Sequence, residues 1–486
     1  MNQGQTIRHG VKWQFVGNTG VQILGFGFGI ILARLLAPED FGALLTIQVF
    51  TGLAGFISGG GMGQALVRAK TVSSQDYDIV FTLQILLGSV IYAGFYFAAP
   101  YFSEWYDTPL YTDLLRVSAL SFLFRPFVNL PSSILFREMR FKVQSILGLV
   151  ALLVSSGTSI AMAWLGYGVW SLIWGGIVGA AFTGIALLPI TQWRPRLSME
   201  FRRGGDIARY GLLVSANDIV GYLRNQVSIF ILSRTLGPAN VGLYNKGESL
   251  GKMPHTFITG SVYHVLFRAI SAEQDNLDKC RYLFFRSIAL VAVYATPFYI
   301  GLLWLAEPLV RGVYGEKWVG AAGPLLILAL AWPFWLMENL SGAALAALNW
   351  LGRELPVQIA TLIISVLAIA IALPYGIDGV AWAIVGVSSY SAFHLYWLAS
   401  RSLKAAMTDF IRAIRPAVLL NILLAITLYI VSQTIPASMR NNDYTYLMAM
   451  IASGGMVYVL GFLYAPIPAL RAEQQRWKIK LRLATP

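Results

Sequence analysis

The sequence predicts an all-α, polytopic membrane protein of about fourteen transmembrane helices: two parallel six-helix bundles and two further C-terminal helices. Three observations carry this. The 486 residues are 57% hydrophobic and only 12% charged, against about 25% charged in an ordinary soluble domain. The mean hydropathy is +0.63. The chain also divides into long apolar runs, and a polar loop motif recurs after 200 residues.

Each run is long enough to cross a bilayer, which takes roughly 20 apolar residues at about 1.5 Å of rise per residue. They lie near 11–33, 41–66, 78–99, 113–135, 143–163, 168–189, 209–232, 240–264, 283–305, 319–345, 356–374, 378–399, 416–434 and 444–464. The runs are too long and too continuous for the alternating strands of an outer-membrane barrel. The polar stretch Met1 to Lys12 leads into a full-length run and reads as the approach to a first span, not as a cleaved leader.

Charge sets the orientation. With the N-terminus inside, 26 of the 36 lysines and arginines fall on inward loops and 5 on outward ones; 5 more lie within spans. That bias places both termini in the cytoplasm. The net charge of +13 is thus mainly topological. Without a basic, aromatic-laced stripe beyond the membrane flanks, no nucleic-acid partner is expected. The basic tail Arg471–Arg482 is expected to rest on lipid headgroups. A single cysteine, Cys280, permits no internal disulfide, and four scattered histidines make no metal spacing. Ser58-Gly59-Gly60-Gly61 lacks the ending of a phosphate loop. No cofactor, metal or enzymatic activity is expected.

The repeat is carried by Arg34-x-Leu36-x-Pro38-x-x-x-Gly42 and Arg234-x-Leu236-x-Pro238-x-x-x-Gly242. Leu66-Val67-Arg68 and Leu266-Phe267-Arg268 follow at the same interval. The expected organisation is a bundle over residues 1–200, a second over 201–402, and two extra spans with a basic tail over 403–486. Six spans per copy is even, so both copies have the same orientation, an arrangement that places a substrate site at their interface.

Polar residues within spans locate that site. Glu248, Lys252, His255 and Thr259 follow i, i+4, i+7, i+11 and share one helix face. Their counterparts Gln48, Gly52, Gly55 and Gly59 form a small or polar stripe. Asn217, Gly221, Arg224 and Ser228 form another face, with Asp218, Tyr222 and Asn225 beside it; Asn18, Gln22, Gly25 and Gly29 do the same in the first span. An intramembrane Arg, Lys or Asp costs about 2.5–3.5 kcal/mol on insertion scales. A hydrated, positively charged cleft is therefore expected along spans 1, 2, 7 and 8. The competing reading is that Glu248 and Lys252 merely neutralise each other. Glycine pairs such as Gly25/Gly29, Gly55/Gly59 and Gly175/Gly179 read as close-packing devices, and Pro254 as a hinge.

The segment Ile31-Leu32-Ala33-Arg34-Leu35-Leu36-Ala37-Pro38-Glu39-Asp40-Phe41-Gly42 resembles the signature of bacterial polysaccharide exporters. These are the Wzx-type flippases of the multidrug/oligosaccharidyl-lipid/polysaccharide exporter superfamily. His264-Val265-Leu266-Phe267-Arg268 and Val313-Tyr314-Gly315-Glu316-Lys317-Trp318 resemble the colanic-acid branch, except that Arg268 stands where that branch has proline. The resemblance implies transfer of undecaprenyl-diphosphate-linked oligosaccharide across the bacterial inner membrane, alongside a polymerase and glycosyltransferases. On that reading Lys252, Arg224 and Arg125 hold the diphosphate or acidic sugars. Asn217, Asn225, Gln22 and Gln48 bind hydroxyls, and Glu248, Asp218 and His255 are candidates for proton coupling. The alternatives are a cation-coupled multidrug exporter of the same superfamily and a lipid II-type flippase.

Overall fold

A bilayer requires each backbone N–H and C=O to be paired inside the chain, and the regular elements of the computed structural model are helices throughout the described residues. Those are residues 3–59, 61–69, 71–200, 219 and 221–483. The chain forms two compact units, Met1–Gly242 and Leu243–Pro486.

The first unit holds α1 (Gln3–Leu35), α2 (Pro38–Gly59), α3 (Met62–Arg68), α4 (Ser74–Trp105) and α5 (Leu110–Ala119). It continues through α6 (Ser121–Arg137), α7 (Phe141–Trp164), α8 (Val169–Thr191) and α9 (221–235). Local chemistry sets the helix ends. Pro38 opens α2, where its missing N–H costs nothing, and the Asp40 carboxylate accepts the N–H of Ala37 at 3.0 Å. Ser73 and Asp76 form a reciprocal capping box at the start of α4, worth about 1 kcal/mol. Arg137 reaches back from α6 to donate to the carbonyls of Leu66 and Ala69, each at 2.6 Å, closing the end of α3.

Glycines admit close approach where helices cross. Gly175 and Gly179 of α8 face Ser159 and Ser155 of α7, so a methyl group at either would overlap a serine. Proline 126 in α6 removes the N–H that would pair the Phe122 carbonyl; Gly88 of α4 lies against that same oxygen, where a methyl would come within 2.6 Å. Gly25 and Gly29 depart from expectation. Among the described residues nothing lies within 4 Å of a methyl group placed on either, so the α1 pair packs closely on no described helix.

The repeated motif packs on its own copy. A methyl on Gly42 would overlap the carbonyl of Pro238, and one on Gly242 would overlap the carbonyl of Pro38. Within the first unit, the glycine of each motif thus lies against the proline of the other.

α10 (Gly237–Ala272) begins in the first unit and runs into the second, where it is followed by α11 (Leu277–Tyr314), α12 (Ala322–Ala329), α13 (Trp332–Ala347), α14 (Leu351–Ala372) and α15 (Gly376–Ser402). Then come α16 (Asp409–Thr434), α17 (Ala437–Arg440), α18 (Asp443–Tyr464) and α19 (Arg471–Lys480). α16 and α18 close on α11 through Leu305, Leu424, Leu428, Leu447 and Met450. The basic tail, expected to rest on headgroups, makes hydrogen bonds to the helices beside it. Gln474 of α19 donates to the carbonyls of Phe462 and Ala465 at 2.9 and 2.8 Å, and Trp477 donates to the Tyr294 hydroxyl at 2.8 Å. These bonds dock α19 on α11 and α18, while Arg476 remains exposed.

Among the described residues, ten helical stretches are long and apolar enough to span a bilayer, or eleven if the pair Glu316–Ala329 and Trp332–Ala347, bent by 54°, is one span. Fourteen were expected. One of the ten, Gly352–Ser402, contains both α14 and α15. α10 is not among the ten, because its polar face lowers its hydropathy. The first part of the seventh run lies outside the described residues.

Candidate transport site

In the first unit the site is built around Arg125 on α6. Its guanidinium lies 4.9 Å from the Phe122 ring centroid and rests on Gly55 of α2, where a methyl group would overlap it. One turn away, Gly52 accommodates the Tyr222 hydroxyl from α9, which donates to the carbonyls of Gln48 and Val49 at 2.7 and 3.1 Å. The Tyr222 ring lies 5.3 Å from Phe56. Below them, Asn129 of α6 faces Gly59, whose carbonyl accepts from Gln84 at 3.3 Å. The Gln48–Gly59 stripe, read from the sequence as one wall of a cleft, is a set of seats for an arginine, a tyrosine and an asparagine. Tyr222 was the member the sequence reading undervalued; the signal was two glycines three residues apart opposite an aromatic hydroxyl.

The other expected residues of this unit are placed as follows. Gln22 and Asn225 are exposed, Arg224 is partly exposed on α9, and Gln48 turns its amide outward while its carbonyl holds Tyr222. Asn217 and Asp218 lie outside the described residues.

In the second unit, α10 presents Glu248, Lys252, His255 and Thr259 as the spacing requires. The Lys252 ammonium meets the Glu248 carboxylate at 2.7 Å and lies 5.8 Å from the Trp335 ring. The neutralising pair therefore forms, although the lysine side chain keeps 44% exposure against 14% for the glutamate. Pro254 lies inside this continuous helix and supplies no N–H to its ladder. The backbone N–H of His255 donates to the Tyr299 hydroxyl at 3.0 Å, and Tyr299 stacks on Trp332 at 5.0 Å. The His255 ring lies 6.0 Å from that of Trp335. Buried His255 Nδ1, Thr259 Oγ1, Trp332 Nε1, Asn339 Oδ1 and Ser341 Oγ have no hydrogen-bond partner among the described residues. Such atoms are uncommon, because each forfeits about 1–3 kcal/mol of hydration. Five on two helices mark an interior that suits water or hydroxyl-rich ligands.

Lys246, nine residues into α10, places its ammonium 5.2 and 5.6 Å from the rings of Tyr314 and Trp318. The Tyr314–Trp318 motif is thereby explained as an aromatic box for a cation.

Residues 31–323 match the family described as polysaccharide biosynthesis protein. The chain belongs to that family. Among curated relatives it is 24% identical over 327 residues to the succinoglycan biosynthesis transport protein ExoT of Rhizobium meliloti, a match covering 67% of this chain and 66% of that one. It is 23% identical to the lipopolysaccharide biosynthesis protein WzxC of Escherichia coli, over 70% of this chain and 69% of that one. The teichuronic acid biosynthesis protein TuaB of Bacillus subtilis is 20% identical over 93% and 94% of the two chains. Among solved structures, the lipid II flippase MurJ in an inward closed conformation superposes with a TM-score of 0.77 at 16% identity, over 97% and 99% of the chains. An inward-facing multidrug resistance transporter of the MATE family reaches 0.61 at 16% identity, over 80% and 94%. This member of the polysaccharide biosynthesis family therefore has the MurJ and MATE fold.

Proposed function

We propose that this chain is a flippase that carries undecaprenyl-diphosphate-linked oligosaccharide repeat units across the bacterial inner membrane for surface polysaccharide assembly, by alternating access. The observation that carries the reading is an intramembrane cation in each unit: Arg125 on its glycine seat and Lys252 beside its carboxylate and Trp335. Each is costly in hydrocarbon, and each suits a phosphate oxygen. The family match and the names of the relatives point the same way.

In this proposal, Arg125, Arg224 and Lys252 hold the diphosphate; Lys252 exchanges Glu248 for phosphate as cargo binds. Asn217, Asn225, Gln22 and Gln48 bond to sugar hydroxyls. The partnerless atoms of α10 and α13 take up further hydroxyls or water, and Glu248, Asp218 and His255 are the candidates for proton coupling. Residues 1–200 and 201–402 act as two copies of one six-helix bundle, residues 403–486 add two spans and the tail, and the full count is fourteen. Both termini are cytoplasmic, and a polymerase and glycosyltransferases are the working partners. A diphosphate diester carries about two negative charges, and outward movement from a negative interior gains about 2.3 kcal/mol per charge per 100 mV. That gradient drives export without nucleotide hydrolysis.

Lys252→Ala, Arg224→Ala and Arg125→Gln, each scored for surface polysaccharide and for protein retained in the membrane, test the reading. Loss of export at normal protein level is expected. Normal polysaccharide from all three would overturn it. The two alternatives are separated by cargo. Restored drug resistance would indicate a multidrug exporter, and rescue of cells depleted of their lipid II flippase would indicate a peptidoglycan precursor.

A further inference from the structure

A second cavity lies in the second unit, away from α10, at the membrane face that the cation distribution assigns to the outside. It measures about 700 Å³ and opens among α11, α12, α16 and α18. Its wall sets the rings of Trp304, Tyr429 and Tyr446 beside Glu307, Gln433 and Arg440.

The wall is built rather than incidental. At its rim Arg311 is held by Glu307 at 2.7 Å, Glu316 at 2.8 Å and Asp443 at 3.5 Å. Arg440 donates to the carbonyl of Ser432 in the last turn of α16. The Tyr444 hydroxyl donates to the Gly312 carbonyl at 3.0 Å, tying the start of α18 to the end of α11. Asn442 caps α18 by accepting the N–H groups of Tyr444 and Thr445. Polar groups fixed in this way lose little freedom on binding a ligand.

The composition of the wall selects the ligand. The groove between α14 and α15, of about 670 Å³, is walled by side chains such as Ile364, Ala368, Ile371 and Trp382, and acyl chains satisfy it. The cavity of about 570 Å³ containing Arg281, Arg286 and Arg412 lies at the face assigned to the cytoplasm and suits headgroups. The outward cavity differs from both. Its lining carries two carboxylates, Glu307 and Asp443, and two guanidiniums, Arg311 and Arg440, with no net positive charge; Arg311 is already held by carboxylates, which disfavours phosphates. Aromatic faces offer their negative quadrupole to C–H edges, while planar carboxylate, amide and guanidinium groups match vicinal hydroxyls. Its volume lies inside the range of about 300–1,000 Å³ typical of ligand sites.

We propose that this cavity binds neutral saccharide, a fragment of about two or three rings, as a site distinct from the intramembrane cations. That it receives the sugar end of emerging cargo rests on the flippase reading; the binding chemistry does not.

The test uses the full chain in lipid nanodiscs, with maltose, lactose, cellobiose and a glucuronate-containing disaccharide as probes, read by saturation-transfer NMR and by tryptophan fluorescence. At least one neutral disaccharide is expected to bind, more tightly than the acidic one. The pair Tyr429→Ala and Gln433→Ala, at exposed positions that leave the helix core intact, is expected to weaken it about tenfold or more. Trp304→Phe is expected to remove the fluorescence response while NMR binding persists. Lys252→Ala and Arg125→Gln are expected to leave sugar binding unchanged. Absence of binding by every probe, or equal binding by the Tyr429/Gln433 variant, overturns the proposal. Loss of binding in the Lys252 and Arg125 variants instead would also overturn it, while supporting sugar recognition at the intramembrane site. Sugar binding lost only in the Tyr429/Gln433 variant, with export indifferent to Lys252 and Arg125, would uphold the cavity and remove the flippase reading.

Discussion

At the scale of residues, small side chains decide where large polar ones go. Gly55 is chosen by the guanidinium of Arg125, and Gly52 by the hydroxyl of Tyr222. Gly55→Val is therefore expected to expel Arg125 from its seat, at an overpacking cost of about 1–3 kcal/mol. Export should fall as far as in Arg125→Gln, with protein still in the membrane; retained export in both variants would deny Arg125 a role. Gly25, with no described residue within 4 Å of an added methyl, makes the opposite case. Gly25→Ala is expected to stabilise by up to about 1 kcal/mol through helix propensity, seen as a higher Tm in detergent. Lys246 and Cys280 show how environment overrides identity: the first ends in an aromatic box. The second is buried, its thiol directed at the Glu273 carbonyl at 3.1 Å.

At the scale of elements, proline and glycine shape the helices that carry the site. Pro254 leaves the Leu250 carbonyl without its usual donor, and the His255 N–H turns to Tyr299. Pro254→Ala is expected to restore the hydrogen bond to that carbonyl and raise Tm while slowing export. A variant as active as the parent would show that Pro254 is not a hinge. The reciprocal contact of the repeated motif makes a second prediction. Gly242→Ala and Gly42→Ala each force a proline turn away, so each should lower Tm by several degrees, whereas Gly221→Ala, with nothing within 4 Å, should not. Half of the reciprocal contact was legible in the sequence as a matched spacing. That each glycine serves the other copy's proline was not, because spacing along one chain carries no information about which surfaces meet.

At the scale of the whole molecule, orientation rests on the charge bias, and cysteine labelling tests it. Cys280 is unsuitable as an inward reporter, since its burial blocks reagents from either side. In a Cys280→Ala background, a cysteine at exposed Asn441 is expected to react from outside and one at exposed Asp275 only after permeabilisation. The reverse pattern would invert the topology, and with it the assignment of the outward saccharide cavity.

The sequence by itself determined that this is a multi-spanning helical protein, because burial in lipid imposes length and apolarity on each segment independently of its neighbours. It also determined the i, i+4 pairing of Glu248 with Lys252, since helical spacing brings those side chains together. Only the tertiary structure decided that the Gln48–Gly59 stripe seats Arg125, Tyr222 and Asn129, that Gly25 and Gly29 pack closely on no described helix, and that α19 docks on α11 and α18. Each of those depends on which helix lies opposite, and one hydrophobic helix surface is much like another until packing selects its partner.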